Sequence, residues 1–579
     1  MTTAVFESFS GSPSRWNGRF HTPRFTRAAH TTAEVLSALR LVEEETRKGR
    51  WAVIMLAYEA APAFDPPLRV HAAKDFPLAW VAIFDEPDTL PPLNRAGGDY
   101  QTSAWEPLVS REAYIHAIQR IRAHIENGDT YQVNYTFPLK CRFAGDPWAW
   151  YRELGAAQGA GYCAYLDTGR YVILSFSPEL FFERHGDKLI ARPMKGTMPR
   201  GRWVEEDDEQ ADRLAASAKD RAENLMIVDL LRNDLGKISV TGSVQTTTLF
   251  AVERYRNVLQ MTSTVESVCK PGFGLTDILR ALFPCGSITG APKVRTMEII
   301  RELEPFPRHV YTGAIGLARP GGDCVFNVAI RTLALDRQTG EATFGVGGGI
   351  TYDSTPEGEY DECVLKASFL NKRWPEFQLL ETLLLEEGHF FLLERHIRRM
   401  KGSARYFHYP WNEEEARSAL ERVRLTHANG RWKVRLLIAA TGSIHAEITE
   451  LKPGPEKVLR VTFAPQPIDL HDPFIYHKTT HRKMYEESLQ ARPGYDDVIL
   501  WNERGEVTES SIANIVLTAG REKYTPPQQS GLLRGTFRDE LVASGELRER
   551  VIYRDDLLRA RSFFLINSVR RWMPAVLAD

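Results

Sequence analysis

The apolar run Trp51-Ala52-Val53-Ile54-Met55-Leu56 reads as a strand, and Pro62, Pro66 and Pro67 interrupt the segment after it. Residues Pro87 to Pro92 read as a loop. From Arg111 the period becomes helical. Ile115, Ile118 and Ile125 share a face, Gly128 sits just past the end, and Tyr131 to Tyr135 alternates like a strand. A second helix is expected from about Glu209 to Asn233, with the acidic run Glu205 to Glu209 at the positive end of its dipole. A helical stretch from Glu362 to Leu370 ends in Lys372, Arg373, Trp374 and Pro375. The expected division is therefore a domain over 1–370, a linker over 371–376 and a second domain over 377–579. In the second part strand-like runs (377–384, 434–440, 497–501, 512–517 and 563–566) alternate with helices, so the class is α/β (α+β) throughout.

At roughly 150 residues per domain, a chain of 579 residues has room for two to four domains. A net charge of −2 gives no basic excess for a phosphate backbone, and nucleic acid is not expected as a partner. Six scattered cysteines form no C-x-x-C pair and read as free thiols of a reducing compartment. The first residues, Met1 to Arg24, lack the apolar stretch of a secretory signal, and no run approaches the ~20 apolar residues of a membrane span. A cytoplasmic location is the expectation.

Glycines and charges crowd together between 111 and 368. The segments are Arg192 to Gly201 (R-P-M-K-G-T-M-P-R-G), Ala222 to Asp234, Gly286 to Lys293 (G-S-I-T-G-A-P-K), Tyr311 to Gly316, Phe326 to Arg331 and Gly345 to Ile350, then Glu357 to Glu362. Their chemistry suits a small polyanion. Arg331, Lys293 and glycine-rich backbone can clasp carboxylates. Glu223 and Glu362 are hard oxygen donors of the kind Mg²⁺ takes. Lys195 becomes a nucleophile if its ammonium is desolvated. Singly, each residue has a plainer explanation: a lone lysine is usually solvated, and Gly345 to Ile350 lacks the G-x-G-x-x-G spacing and reads as a tight strand end.

In this order the motifs resemble the chorismate-utilising enzymes, which include anthranilate, aminodeoxychorismate, isochorismate and salicylate synthases. The resemblance covers about 111–370 and implies a two-sheet α/β fold that binds chorismate and Mg²⁺ in a central cleft. It implies that Glu223 and Glu362, with Glu359 nearby, hold the metal. Tyr311 and Arg331 would bind the enolpyruvyl carboxylate. Gly347, Gly348 and Lys293, with Thr289 of the same motif, would attend the ring carboxylate. The discriminating position is Lys195. Anthranilate synthases resemble P-I-A-G-T there, aminodeoxychorismate synthases P-I-K-G-T, and this chain has P-M-K-G-T. The resemblance implies that Lys195 attacks C2 of chorismate before ammonia enters C4. One departure is Gln260, where many relatives carry histidine; an amide cannot shuttle protons near neutral pH. No glutaminase elbow is present, so ammonia is expected from a separate glutamine amidotransferase subunit or from solution.

The second half carries His396 to Arg399, His477 to Arg482, Val507 to Asn514, Gly531 to Arg538 and Ile566 to Arg570. A lysine, a later acid and a glycine-led helix start suggest a pyridoxal 5'-phosphate site, although singly Lys478 could be surface and Gly535 a cap. Together they resemble the class IV (fold type IV) pyridoxal-phosphate enzymes: branched-chain and D-amino-acid aminotransferases and aminodeoxychorismate lyase. The resemblance implies Lys478 as the Schiff-base lysine and Glu509 as the pyridine partner. Arg399 and the amides of Thr536 and Phe537 would bind phosphate. Relatives of this class resemble dimers, so a homodimer through this half is also implied.

Fusion of the two halves suggests chorismate amination followed by elimination of pyruvate, giving p-aminobenzoate for folate. The alternative is an anthranilate synthase component I-like half joined to a branched-chain or D-amino-acid aminotransferase-like half.

Overall fold

The strand Trp51–Leu56 forms and feeds two cores at once. Val53 and Met55 face the space between two sheets, while Ala52, Ile54 and Leu56 pack beneath helices on the other side. Among the described residues the first part of the chain holds two antiparallel sheets of ten strands each. Between them lie Phe6, Trp16, Phe20, Trp80 and Leu317. Tyr114, Ile118 and Ile121 of the helix Arg111–Glu126 cover the outer face of the first sheet. Ser110 caps that helix by accepting from the Ala113 amide.

This computed structural model describes residues 3–10, 15–88, 98–452, 457–560 and 562–578. It divides into two compact units, Met1–Arg200 with Gln210–Trp374, and Pro375–Asp579 with Gly201–Glu209. Among its described residues the second unit carries a four-stranded and an eight-stranded sheet. In the larger, Val507–Ser510 pairs with both Asp497–Trp501 and Asn514–Ala519, which closes part of the sheet on itself as a barrel.

Several local expectations change. The single helix from Glu209 to Asn233 is two, Val204–Ala216 and Ala218–Ile238. Ser217 breaks it, because its hydroxyl accepts from the Asp220 amide and starts the second helix afresh. The strand around Tyr131 to Tyr135 extends over Gln132–Gly145. Gly345 to Ile350 is a strand end, as expected, but an extended one: it forms the last six residues of the ten-residue strand Glu341–Ile350, paired with Gln132–Gly145 throughout. The loop expected from Pro87 to Pro92 lies largely outside the described residues. All six cysteines are free and buried. Among the described residues, no helix is long and apolar enough to cross a membrane.

Candidate active sites

Lys195 owes its direction to an irregularity in its strand. Met194–Pro199 pairs with Val258–Val268, and the register shifts between Met194 and Thr197. Such a bulge re-aims a side chain. Gly196 takes φ 91° there, and a Cβ on it would stand 2.8 Å from the Asp220 side chain. Lys195 then enters a cavity of ≈ 330 Å³ together with Glu223, Tyr311, Arg331, Gly347, Gly348, Glu359 and Glu362. Burial pulls its ammonium below the usual lysine value, with Glu223 opposing.

The glycine strand forms the floor. A Cβ on Gly345 would lie 2.2 Å from the Tyr311 ring, and one on Gly348 would lie 3.0 Å from Glu359 Oε2. At Gly349 it would meet Gln132 Nε2 at 2.4 Å and Lys195 Nζ at 2.6 Å. Only hydrogen fits beneath the lysine. Gly349→Ala is therefore expected to displace Lys195 and to lower any turnover this cavity supports by about 10²-fold, leaving the second unit unaffected; steady-state rates of the variant and the wild type check this.

Glu223 comes from the helix Ala218–Ile238, and Glu359 and Glu362 lie three residues apart on Pro356–Ala367. Burial raises Glu223 and Glu359 above the usual carboxylate range. Lys366 bonds Glu362 at 2.7 Å and holds it lower. Among the described residues no group of three or more acids, histidines or cysteines is gathered for a metal. Two poorly compensated acids on one cavity nonetheless suit Mg²⁺, which takes one or two carboxylates and leaves other positions to substrate and water.

Two expected residues are not brought into the cavity. Lys293 turns its ammonium to Asp234 at 3.1 Å. Thr289 is fully buried and donates to the Cys285 carbonyl, leaving its neighbours Ser287 and Ile288 to line the site. Gln260 lines the cavity and accepts from the Thr197 hydroxyl at 3.1 Å.

Other residues in or beside the cavity were not singled out in the sequence. Lys366 donates to the Gly347 carbonyl at 3.0 Å; its spacing of four from Glu362 on a helix was the available signal. Glu179 is buried, accepts from Ser287 at 2.7 Å and is pushed up to about 7 by desolvation. Gln132 is fully buried with neither amide atom partnered. Nothing local to the sequence marks either of them as facing Lys195.

A second site lies wholly in the other unit, where a cavity of ≈ 390 Å³ gathers Lys478, Glu509, Arg399 and Thr536. The Lys478 carbonyl accepts from Leu380, which ties this irregular segment to the strand Leu379–Glu386. Burial, then Arg399 and Arg482, lower the ammonium to about 8. Glu509, on Val507–Ser510, is pushed up to about 7 by burial although Tyr485 donates to it at 2.9 Å. Arg399 forks onto Glu381 at 2.7 and 2.6 Å and donates to the Arg534 carbonyl. Despite burial, Arg399 and His396 hold Glu381 down at about 2. His396 also meets the Thr536 hydroxyl at 3.2 Å.

The helix Thr536–Ala543 begins at Gly535 without a side-chain cap, which leaves its first amides available to an anion. Phe537 buries its ring against Phe391, so only its amide can serve there. A Cβ on Gly535 would stand 2.1 Å from Asn514 Oδ1. This donor set fits pyridoxal phosphate: a desolvated lysine, an acid for the ring nitrogen, and an arginine beside uncapped amides for the phosphate. Tyr485, Asn514 and Glu381 were missed as supports; Asn514 lay within the Val507 to Asn514 motif, whereas Tyr485 gives no sequence signal.

Residues 8–372 match the family model for chorismate binding enzymes, and the chain belongs to that family. Residues 378–577 match the model for class IV amino-transferases, so two enzyme modules follow one another. The chain is 42% identical over 272 residues to aminodeoxychorismate synthase component 1 of Escherichia coli (strain K12), covering 47% of this chain and 60% of that protein. It is 38% identical over 281 residues to anthranilate synthase component 1 of Thermus thermophilus, covering 48% and 60%. The matched part thus spans about three-fifths of those relatives. The crystal structure of anthranilate synthase component I from Streptococcus pneumoniae TIGR4 shares the fold of the first part, with TM-score 0.53 and 24% identity over 64% of this chain and 92% of that one.

Proposed function

We propose that the chain makes p-aminobenzoate in two steps, amination of chorismate in the first unit and elimination of pyruvate in the second. The carrying observation is Lys195, a desolvated ammonium lying over Gly349 in the cavity with Tyr311 and Arg331. Relatives of both synthase kinds match this chain, so the choice between products rests on that residue.

In this reading Tyr311 and Arg331 hold the enolpyruvyl carboxylate by charge-assisted bonds. The Lys195 amine bonds to C2 as the C4–O bond breaks and the ring double bonds shift. Glu179, near 7, can give the departing hydroxyl its proton. Ammonia then bonds to C4 as the C2–Nζ bond breaks, which restores the lysine and replaces one hard substitution with two allylic ones. Ammonia comes from solution or from a separate glutamine amidotransferase subunit. Glu223, Glu359 and Glu362 would hold Mg²⁺, which supplies positive charge against the substrate's carboxylates.

The product is a primary amine that suits the second unit. Bound pyridoxal phosphate supplies an electron sink for charge developing at the amine-bearing carbon. Lys478, near 8, takes the C4 proton; Glu509 would bond the pyridine nitrogen, and Arg399 with the Thr536 and Phe537 amides would hold the phosphate. Loss of pyruvate makes the ring aromatic. An aminotransferase would instead need a keto-acid acceptor.

Product analysis with chorismate, Mg²⁺, pyridoxal phosphate and ammonium tests both steps together. p-Aminobenzoate with equimolar pyruvate, and no keto acid supplied, is expected. Anthranilate would overturn the reading of the first unit.

A further inference from the structure

Beside the Lys195 cavity lies a second one of ≈ 380 Å³, and Tyr311 and Gly345 line both. The Tyr311 ring, pressed on Gly345, is the partition between them. This volume falls in the range that small-molecule sites occupy.

Its lining departs from plain packing in three respects. The floor is Thr136, Thr332, Thr343 and Ala334, small or hydroxylated side chains at inward positions where neighbouring strands place Leu166 and Ile173. Lys74 and His309 bound it with φ 52° and 53°, a conformation non-glycine residues hold where their surroundings impose it, often at functional sites. The third is chemical. His309 Nδ1 is buried without a partner, and desolvation, with Lys74 and Lys140 adding to it, keeps the ring neutral by lowering it to about 4. Lys140 is paired with Glu341 and Arg170 with Asp336, whereas Lys74 forms no ion pair among the described residues. Phe76 offers an aromatic wall, its centroid 4.8 Å from both Tyr171 and His309.

The geometry points to a binding site here for a small aromatic carboxylate, its ring against Phe76 and Tyr171, its carboxylate on Lys74, and a polar substituent on His309 Nδ1. An occupant would bear on Tyr311 and so change the chorismate-binding wall from behind. That p-aminobenzoate is the natural occupant rests on the proposed function above; the site itself does not.

The test is calorimetric titration of the full chain with benzoate, which is informative whatever the chain synthesises. Saturable binding is expected, weakened about tenfold by Lys74→Ala, an exposed residue whose loss leaves the fold intact, and removed by Ala334→Phe, which fills the cavity. No saturable heat up to about 10 mM overturns the site. So does binding that survives Lys74→Ala unchanged but is lost in Arg331→Ala, since benzoate would then sit in the Lys195 cavity. p-Aminobenzoate bound with the same dependence on Lys74, and slowing chorismate amination, supports it as the occupant. Benzoate bound with that dependence while p-aminobenzoate is refused overturns the occupant and keeps the site.

Discussion

Lys195→Ala is expected to abolish formation of 4-amino-4-deoxychorismate, a fall of about 10³-fold or more, while turnover of supplied intermediate in the second unit continues at the wild-type rate. The asymmetry follows from position. Lys195 lies in the first unit and lines its cavity, and no residue of the Lys478 cavity belongs to that unit. Two other lysines line the cavity, and neither is placed as Lys195 is: Lys366 is engaged by Glu362 and the Gly347 carbonyl, and Lys219 is exposed with Glu223 4.0 Å away. Ammonium-dependent consumption of chorismate and consumption of the intermediate, measured separately, decide the point. Loss of both activities would sink the two-site reading.

Lys478→Ala should have the reciprocal effect: chorismate is still aminated, the intermediate accumulates, and release of p-aminobenzoate and pyruvate falls by about 10³-fold. Lys478 is placed to move a proton at neutral pH, because burial and the neighbouring guanidinium groups bring its ammonium to about 8. Glu509, at about 7, accepts from Tyr485 and in this reading is committed to the ring nitrogen. Arg399 and Arg482, which share the cavity, cannot lose a proton there. Chromatography of the intermediate with a coupled pyruvate assay reads the result. Wild-type formation of p-aminobenzoate would falsify the assignment of the second unit.

Much of this protein could be read along the chain. The strand Trp51–Leu56 came from an unbroken apolar run with prolines after it, and the helix from Arg111 from periodicity, since side-chain direction repeats about every 3.6 residues in a helix. Both modules were legible because their motifs are short, ordered and chemically unusual, as P-M-K-G-T and T-E-S-S-I-A-N are. The break at Ser217 was hidden, since a serine in a helical pattern can cap or simply continue. So was the division of labour within G-S-I-T-G-A-P-K, where Ser287 and Ile288 face the cavity and Thr289 and Lys293 turn away.

By itself the sequence determined which reactive groups exist and in what order: a nucleophile-capable lysine among glycines and acids, then a second lysine followed by its acid. It could not determine their environment. A bulge opposite Val258–Val268 aims Lys195 over Gly349, and strands distant in the chain bring Gln132 and Glu179 to its side. Desolvation, which lowers Lys195 and Lys478 and raises Glu179 and Glu509, exists only once distant segments exclude water from those groups. Chemical identity is local to the chain; direction and dielectric are properties of long-range packing, and the tertiary structure decided them.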